Sequence, residues 1–221
     1  ASWSRGLGDV YKRQELKYYR FMEFDWDGVP LIISRTGWSS ELGYEIFLRD
    51  GTQGEKLWEH LMAVGGPLGL KPGHTSSIRR IEAGMLSYHA DMTLANNPYE
   101  MGMGRLVDLD MEADFISKAA LTLIKERGVS QQLVGLEIDG APFVGSNDFF
   151  WPVLKEGVKV GTVTSAIYSP RLQKNIALAM ISIDHTASGR VLQVDKLSET
   201  RACTVVPIPF YDPKKSLATA S

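Results

Sequence analysis

Between Ser34 and Leu48 the chain reads S-R-T-G-W-S-S-E-L-G-Y-E-I-F-L, a stretch that crowds chemically capable side chains among glycines and serines. They are an arginine, an indole and two carboxylates: Arg35, Trp38, Glu41 and Glu45. Small residues let a backbone approach a flat ligand, a carboxylate accepts hydrogen bonds from an amino-heterocycle, and an indole offers a stacking face. The same residues also fit a plain surface hairpin in which Arg35 pairs with Glu45.

The elements around this loop follow from pattern. Leu31 to Ser34 and Tyr44 to Leu48 read as short strands, and Asp27-Gly28 is a hairpin turn joining the first of them to a partly alternating run from Tyr18 to Trp26. Thr52 and Glu55 have capping-box spacing and open a helix with Leu57, Trp58, Leu61 and Met62 on one face, so Trp58 is expected in the core. Gly65-Gly66-Pro67 stops it. A second helix is expected after Gly73 to Ser77, with Ile78, Ile81, Met85 and Leu86 at helical spacing. Arg80 and Glu82 lie off that stripe and read as surface or interdomain ion pairs. Tyr88, His89 and Asp91 follow; His89-x-Asp91 offers two metal-ligand types without a third, a poor basis for a metal site.

Asn97-Pro98-Tyr99-Glu100 reads as a turn, and Gly102-x-Gly104 leads into an expected strand from Arg105 to Leu109. Those two glycines lack the third glycine of a dinucleotide fingerprint. Ser117 is expected to cap a helix stapled by Ile116 against Leu121 and ended by Gly128. From Gln132 onward short strands dominate: 132–138, 151–154, 159–165, 176–183, 191–194 and 202–206, parted by turns such as Lys155-Glu156-Gly157. The expected class is α+β: a ferredoxin-like hairpin-and-helix unit over 15–129, then a small all-β barrel or jelly roll over 130–215, with a tail at 216–221. Residues 1–14 carry neither period and read as a non-native or flexible extension.

With 221 residues, 44% apolar, the chain can bury an ordinary core. A net charge of −2 gives no electrostatic reason to expect nucleic acid or an anionic membrane as partner, and no apolar run approaches spanning length. The one cysteine, Cys203, lies in an apolar run and reads as a buried thiol; a reducing cytoplasm is the expected compartment.

The R-T-G-W-S-S-E-L-G-Y-E-I run resembles the signature of the folate-dependent aminomethyltransferase family, the glycine cleavage T proteins and their relatives. Further similar stretches follow in order: R-R-I-E-A-G-M (79–85), N-P-Y-E-M-G-M-G-R-L-V (97–107), G-T-V-T-S (161–165) and S-P-R-L-Q-K-N-I-A-L-A (169–179). Within the family, G-H-T-S-S-I-R-R-I-E (73–82), L-S-Y-H-A-D (86–91) and P-F-Y-D-P-K-K (209–215) look most like the dimethylsulfoniopropionate demethylase branch.

The resemblance implies tetrahydrofolate as methyl acceptor and a small sulfonium or N-methyl compound as donor. It puts Glu45, Trp38, Tyr44 and Ser76 at the cofactor, and Trp38, Tyr88 and Arg171 at the substrate. No metal is expected, since His89 and Asp91 lack a third ligand. Members carry a long region ahead of the R-T-G motif, so the chain is expected to be the C-terminal part of a larger enzyme, inactive alone. The family's catalytic aspartate would lie in that region, which is therefore an expected partner. Aminomethyltransferases have an Arg-Asp pair where this chain has Ser76-Ser77. That departure agrees with demethylation over aminomethyl transfer by a glycine-cleavage T protein or the folate domain of a sarcosine or dimethylglycine dehydrogenase. The third reading is a non-catalytic folate-binding module, against which stands the missing K-G-C-x-x-G-Q-E motif.

Overall fold

A computed structural model describes residues 16–197 and 199–219; the stretch read above as an extension lies outside them. The chain divides into two compact units, one running to Ser76 and taking back the segment from Lys214, the other spanning Ser77–Pro213. Residue 130, the boundary expected from sequence, is where helix gives way to barrel strands.

In the first unit, β1 (Phe21–Trp26), β2 (Val29–Ser34) and β3 (Glu45–Leu48) form an antiparallel sheet in that order. Asp27 and Gly28 both adopt positive φ, 50° and 81°, the geometry of a two-residue turn whose twist matches its strands. Leu31 and Ile33 are buried on β2. Helix α1 (Gly54–Gly65) follows, and its start differs from expectation. Asp50, not Thr52, supplies the cap, accepting from the Thr52 amide at 3.0 Å ahead of a preliminary 3-10 turn. Trp58 is 53% exposed, because the helix meets Trp26 through His60, 5.4 Å between rings, and Lys56, 5.0 Å above it. The short α4 (Ser216–Thr219) ends this unit with Ala218 buried.

In the second unit, α2 (Ser77–Glu82) stops earlier than its apolar stripe suggests. Gly84 sits at φ 64°, its amide donating to Ile81 O at 2.9 Å while Met85 N donates to Arg80 O at 2.8 Å, a Schellman closure. The expected strand from Arg105 to Leu109 is a 3-10 turn (Gly104–Leu106) and irregular chain, since Asp108 takes the amides of Asp110 and Met111 for itself. Helix α3 (Lys118–Arg127) closes on Gly128 as expected. Ser117 gives it no side-chain cap, however, and Ile116 is 95% exposed rather than stapled.

All six expected strands are present: β4 (Gln131–Ile138), β5 (Trp151–Lys155), β6 (Val158–Ser169), β7 (Lys174–Ser182), β8 (Val191–Asp195) and β9 (Thr200–Val206). They close into an antiparallel barrel in the order β4-β7-β6-β5-β8-β9. Alternate residues fill it, among them Leu136, Val153, Val163, Ala179, Val194 and Val205. The intervening residues of β7, Ile176 and Leu178, are also fully buried, packing outside the barrel with Ile81 of α2, Met101 and Leu133.

Arg80 and Asp91, expected at a surface and at a possible metal site, instead form the buried polar centre of this outer layer. Arg80 Nη1 donates to Asp91 Oδ2 at 2.8 Å, and Nη2 to Ser165 Oγ at 2.8 Å. Ser165 and Thr164 both donate to Asp91 Oδ1, at 2.6 and 2.7 Å, and Ser87 N donates to Oδ2 at 2.9 Å. Two adjacent strand residues reach one carboxylate because the register slips between Val163 and Ser165: a β-bulge leaves Thr164 with no residue opposite it in the β7 register. Glu82 is buried likewise, accepting from Ser169 Oγ at 2.5 Å and lying 3.6 Å from Arg171.

Two outcomes test this packing. Asp91→Ala strips the buried guanidinium of its carboxylate and should cost about 3–5 kcal/mol of stability in a denaturant titration. Burial pushes the Cys203 thiol up to about 12 from an ordinary 9.0. The folded state therefore holds that proton more tightly than the unfolded chain. The contribution is intact below the unfolded value and lost as pH rises from about 9 to about 12. Denaturation midpoints followed upward from pH 9.0 should fall less steeply for Cys203→Val than for the unaltered chain.

Candidate functional site

Glu45 opens β3, directly opposite Ser34 of β2. Its side chain stands at the exposed end of an edge strand, and its Oε2 accepts a hydrogen bond from Thr36 Oγ1. Thr36 Oγ1 in turn lies 2.6 Å from Ser34 Oγ, on a residue only 8% exposed. Oε1 of this exposed side chain accepts from no described residue. The carboxylate bonds a hydroxyl and not Arg35, which removes the surface-pair reading of the hairpin.

Arg35 itself is 5% exposed. Nη1 donates to Leu16 O at 3.0 Å and Nη2 to Ala218 O at 3.3 Å, so the first strongly polar residue of the motif ties together two distant stretches of the first unit's backbone. Tyr19 N and Arg35 O, and Arg35 N and Arg20 O, complete the fastening at 3.1 and 2.9 Å. The loop thus leaves a rigid base. Trp38 and Tyr44, at 40% and 43% exposure, extend from it on either side of Glu41 in sequence. Glu45, Trp38 and Tyr44 therefore share one hairpin, a carboxylate with two aromatic faces. Ser76 is half-buried at the end of the same unit.

Tyr88 and Arg171 fall in the second unit. Tyr88 rides on the Ser87–Met92 turn that Asp91 closes, half-exposed, its ring 4.3 Å from that of His89. His89 has φ 70°, a conformation in which a non-glycine side chain is held by its surroundings. Arg171 lies on the turn joining β6 to β7, and its guanidinium is 4.3 Å above the Tyr211 ring as well as near Glu82. Both ends of that contact are structural, which leaves Arg171 partly committed before any substrate arrives. A separate cleft of about 420 Å³ is lined by Asn97, Glu100, Ile124, Arg127 and residues 128–130. It contains no expected site residue, and Glu100 already accepts from Asn97 N and the Gln131 amide at 3.2 and 3.4 Å.

Sequence reading missed Thr36 and Ser34 as part of the site, though pairing of the two strands places Ser34 across from Glu45 and needs only the register to be found. The described residues contain no group of three or more histidine, cysteine or carboxylate side chains able to hold a metal ion, and no helix among them is long and apolar enough to cross a membrane.

Comparison with known proteins points the same way as the hairpin. Residues 7–111 match the family model of the GCVT N-terminal domain, and residues 131–212 that of the glycine cleavage T-protein C-terminal barrel domain. The dimethylsulfoniopropionate demethylase DmdA of Ruegeria pomeroyi is 35% identical over 202 residues, covering 91% of this chain and 54% of the relative. An aminomethyltransferase of Bacillus cereus is 36% identical over 208 residues, covering 91% and 55%. The chain thus spans about half the length of the curated relatives it matches. Among solved structures, the glycine cleavage system aminomethyltransferase T of Bartonella henselae shares the fold, with a TM-score of 0.74 at 21% identity over 90% of this chain and 54% of that one.

Arg35→Met keeps the bulk of the side chain but removes both carbonyl contacts. The amides of Ser216–Thr219 should then exchange with solvent at least tenfold faster, while those of β7 keep their protection, as read by hydrogen exchange.

Proposed function

This chain belongs to the glycine cleavage T-protein family, and from that premise we propose that it forms the folate-gripping part of an enzyme that passes a one-carbon group to tetrahydrofolate. The observation that carries the reading is the Glu45 carboxylate, fixed through one oxygen by Thr36 and open at the other, on a hairpin that also bears Trp38 and Tyr44. That donor set fits a flat amino-heterocycle: Glu45 accepts from its ring and amino N–H groups, and Trp38 and Tyr44 stack beside it. Bound there, the folate supplies a nucleophilic ring nitrogen as acceptor for the transferred carbon.

Among methyl donors we favour dimethylsulfoniopropionate, with methylmercaptopropionate and 5-methyltetrahydrofolate as products. Relatives of both activities match at nearly equal identity, so the preference rests on Ser76 and Ser77 standing where aminomethyltransferases carry an Arg-Asp pair. A sulfonium is discharged as its thioether leaves, so departure needs no proton; the S–CH3 bond breaks as the N–CH3 bond forms, the ring nitrogen gives up its proton to solvent or a base, and orientation supplies most of the acceleration. The Trp38 face also suits that cation, a contact worth about 0.5–2 kcal/mol. Tyr88 and Arg171 are proposed contacts of the substrate's carboxylate end, supplied by a phenol and a guanidinium. The catalytic acid or base has no candidate among the described residues, and the region preceding the R-T-G motif in longer relatives is the proposed source of it.

Calorimetric titration with tetrahydrofolate tests the cofactor. Glu45→Gln trades a charge-assisted acceptor for a neutral amide and should weaken binding about 10- to 100-fold. The donor is tested by incubation of the enzyme completed to its relatives' length with dimethylsulfoniopropionate, or with an aminomethyl-loaded lipoyl carrier, while folate products are followed. Methylmercaptopropionate should appear in the first case only.

A further inference from the structure

The three side chains Ser34, Thr36 and Glu45 form a hydrogen-bonded line whose direction can be settled by counting protons. An ionised carboxylate only accepts, so Thr36 Oγ1 spends its one proton on Glu45 Oε2. The 2.6 Å contact between the Thr36 and Ser34 hydroxyls must then run from Ser34 to Thr36. Ser34 is buried and belongs to the central strand of its sheet, paired on both sides. A rigid strand therefore sets a hydroxyl, that hydroxyl sets a second, and the second sets the carboxylate.

We propose that Thr36 is a positioning residue: it holds Glu45 in the ligand-binding rotamer before ligand arrives and assigns the outward oxygen, Oε1, to a heterocycle edge bearing N–H donors. The inference rests on the folate reading of Glu45 and deepens it. An exposed glutamate at the start of an edge strand would otherwise sample several rotamers about three torsions, and a ligand would have to freeze them on binding. Fixing the side chain in the free protein lifts that cost, so the hydroxyl should strengthen binding about fivefold to tenfold without touching the ligand. It also excludes donation by Thr36 to the ligand, because its only proton is already placed.

A merely structural role would lower the melting midpoint of Thr36→Val and leave its affinity unchanged; positioning gives the reverse. The bond lies at an exposed carboxylate, where a single hydrogen bond contributes little to folding, so its loss should leave the melting midpoint nearly unchanged while affinity falls. The experiment is calorimetric titration of the 221-residue chain with tetrahydrofolate, alongside thermal melts, for Thr36→Val, Thr36→Ser, Glu45→Gln and the double variant Thr36→Val/Glu45→Gln. Expected are a fivefold to tenfold weaker Kd for Thr36→Val, a value within twofold of the unaltered chain for Thr36→Ser, and a double variant no weaker than Glu45→Gln alone. Positioning is overturned, with the folate reading intact, if Glu45→Gln weakens binding but Thr36→Val does not. It is equally overturned if Thr36→Ser fails to rescue or if the two losses multiply. If the unaltered chain does not bind tetrahydrofolate, or Glu45→Gln binds as well as it does, the folate reading falls and takes this inference with it.

Discussion

The salt bridge between Arg80 and Asp91 is the constraint on which the second unit depends. The two side chains are 9% and 0% exposed. Removing such charges from water costs several kcal/mol for each ion, and their mutual attraction offsets this only where every remaining donor and acceptor finds a partner. Here the carboxylate has four: the guanidinium, two strand hydroxyls and a backbone amide. Those partners come from α2, the turn after it and the bulge of β6. A small displacement of any one would leave a charge short of a partner, so the ionic cluster specifies one arrangement where apolar contact alone would tolerate many. The Met-rich packing around it, with Met92, Met101, Met103 and Met180, is adaptable by nature and fixes little by itself.

Seen from that cluster, the bulge between Val163 and Ser165 is a device. Strict alternation along β6 would send one of Thr164 and Ser165 toward the barrel interior, where its hydroxyl would face the aliphatic core. With one extra residue in the strand, Val163 and Ala166 both stay inside and both hydroxyls point to Asp91. Four residues further on, Ser169 meets Glu82 in the same manner. Arg80 and Glu82, two apart on a short helix, are thus each matched by a serine on one strand. The same strand carries the barrel's hydrogen bonds and receives its cladding.

Much of this fold was legible in the chain. Short apolar runs parted by turn residues located all six barrel strands to within a few residues. What was not legible shares one cause. Arg80, Glu82 and Asp91 lie off any apolar stripe, and a charged residue off the stripe reads as solvated unless its partner is known; the partners on β6 are 73 and more residues away. Trp58 failed in the opposite sense. Helical spacing shows which residues share a face but not what that face meets, and Trp26 engages Lys56 and His60 instead. In the stretch after Gly104, Asp108 captured amides that a strand would have needed, a local competition that apolar patterning does not register.

The hairpin motif repeats these lessons at smaller scale. Its most chemical-looking residue, Arg35, is spent on backbone carbonyls, while an unremarked threonine touches the Glu45 carboxylate. A guanidinium is the natural choice for bridging carbonyls. It carries five donors in a rigid fork and cannot lose its charge, so a single side chain can hold two separate segments at once. A hydroxyl suits the carboxylate, because it can accept from one side and donate to the other without adding charge beside it. Placed the other way round, an arginine on Glu45 would satisfy the carboxylate so fully that a heterocycle would have to displace it. The division of labour between Arg35 and Thr36 follows from what each group can donate, and it is what leaves one oxygen of Glu45 available.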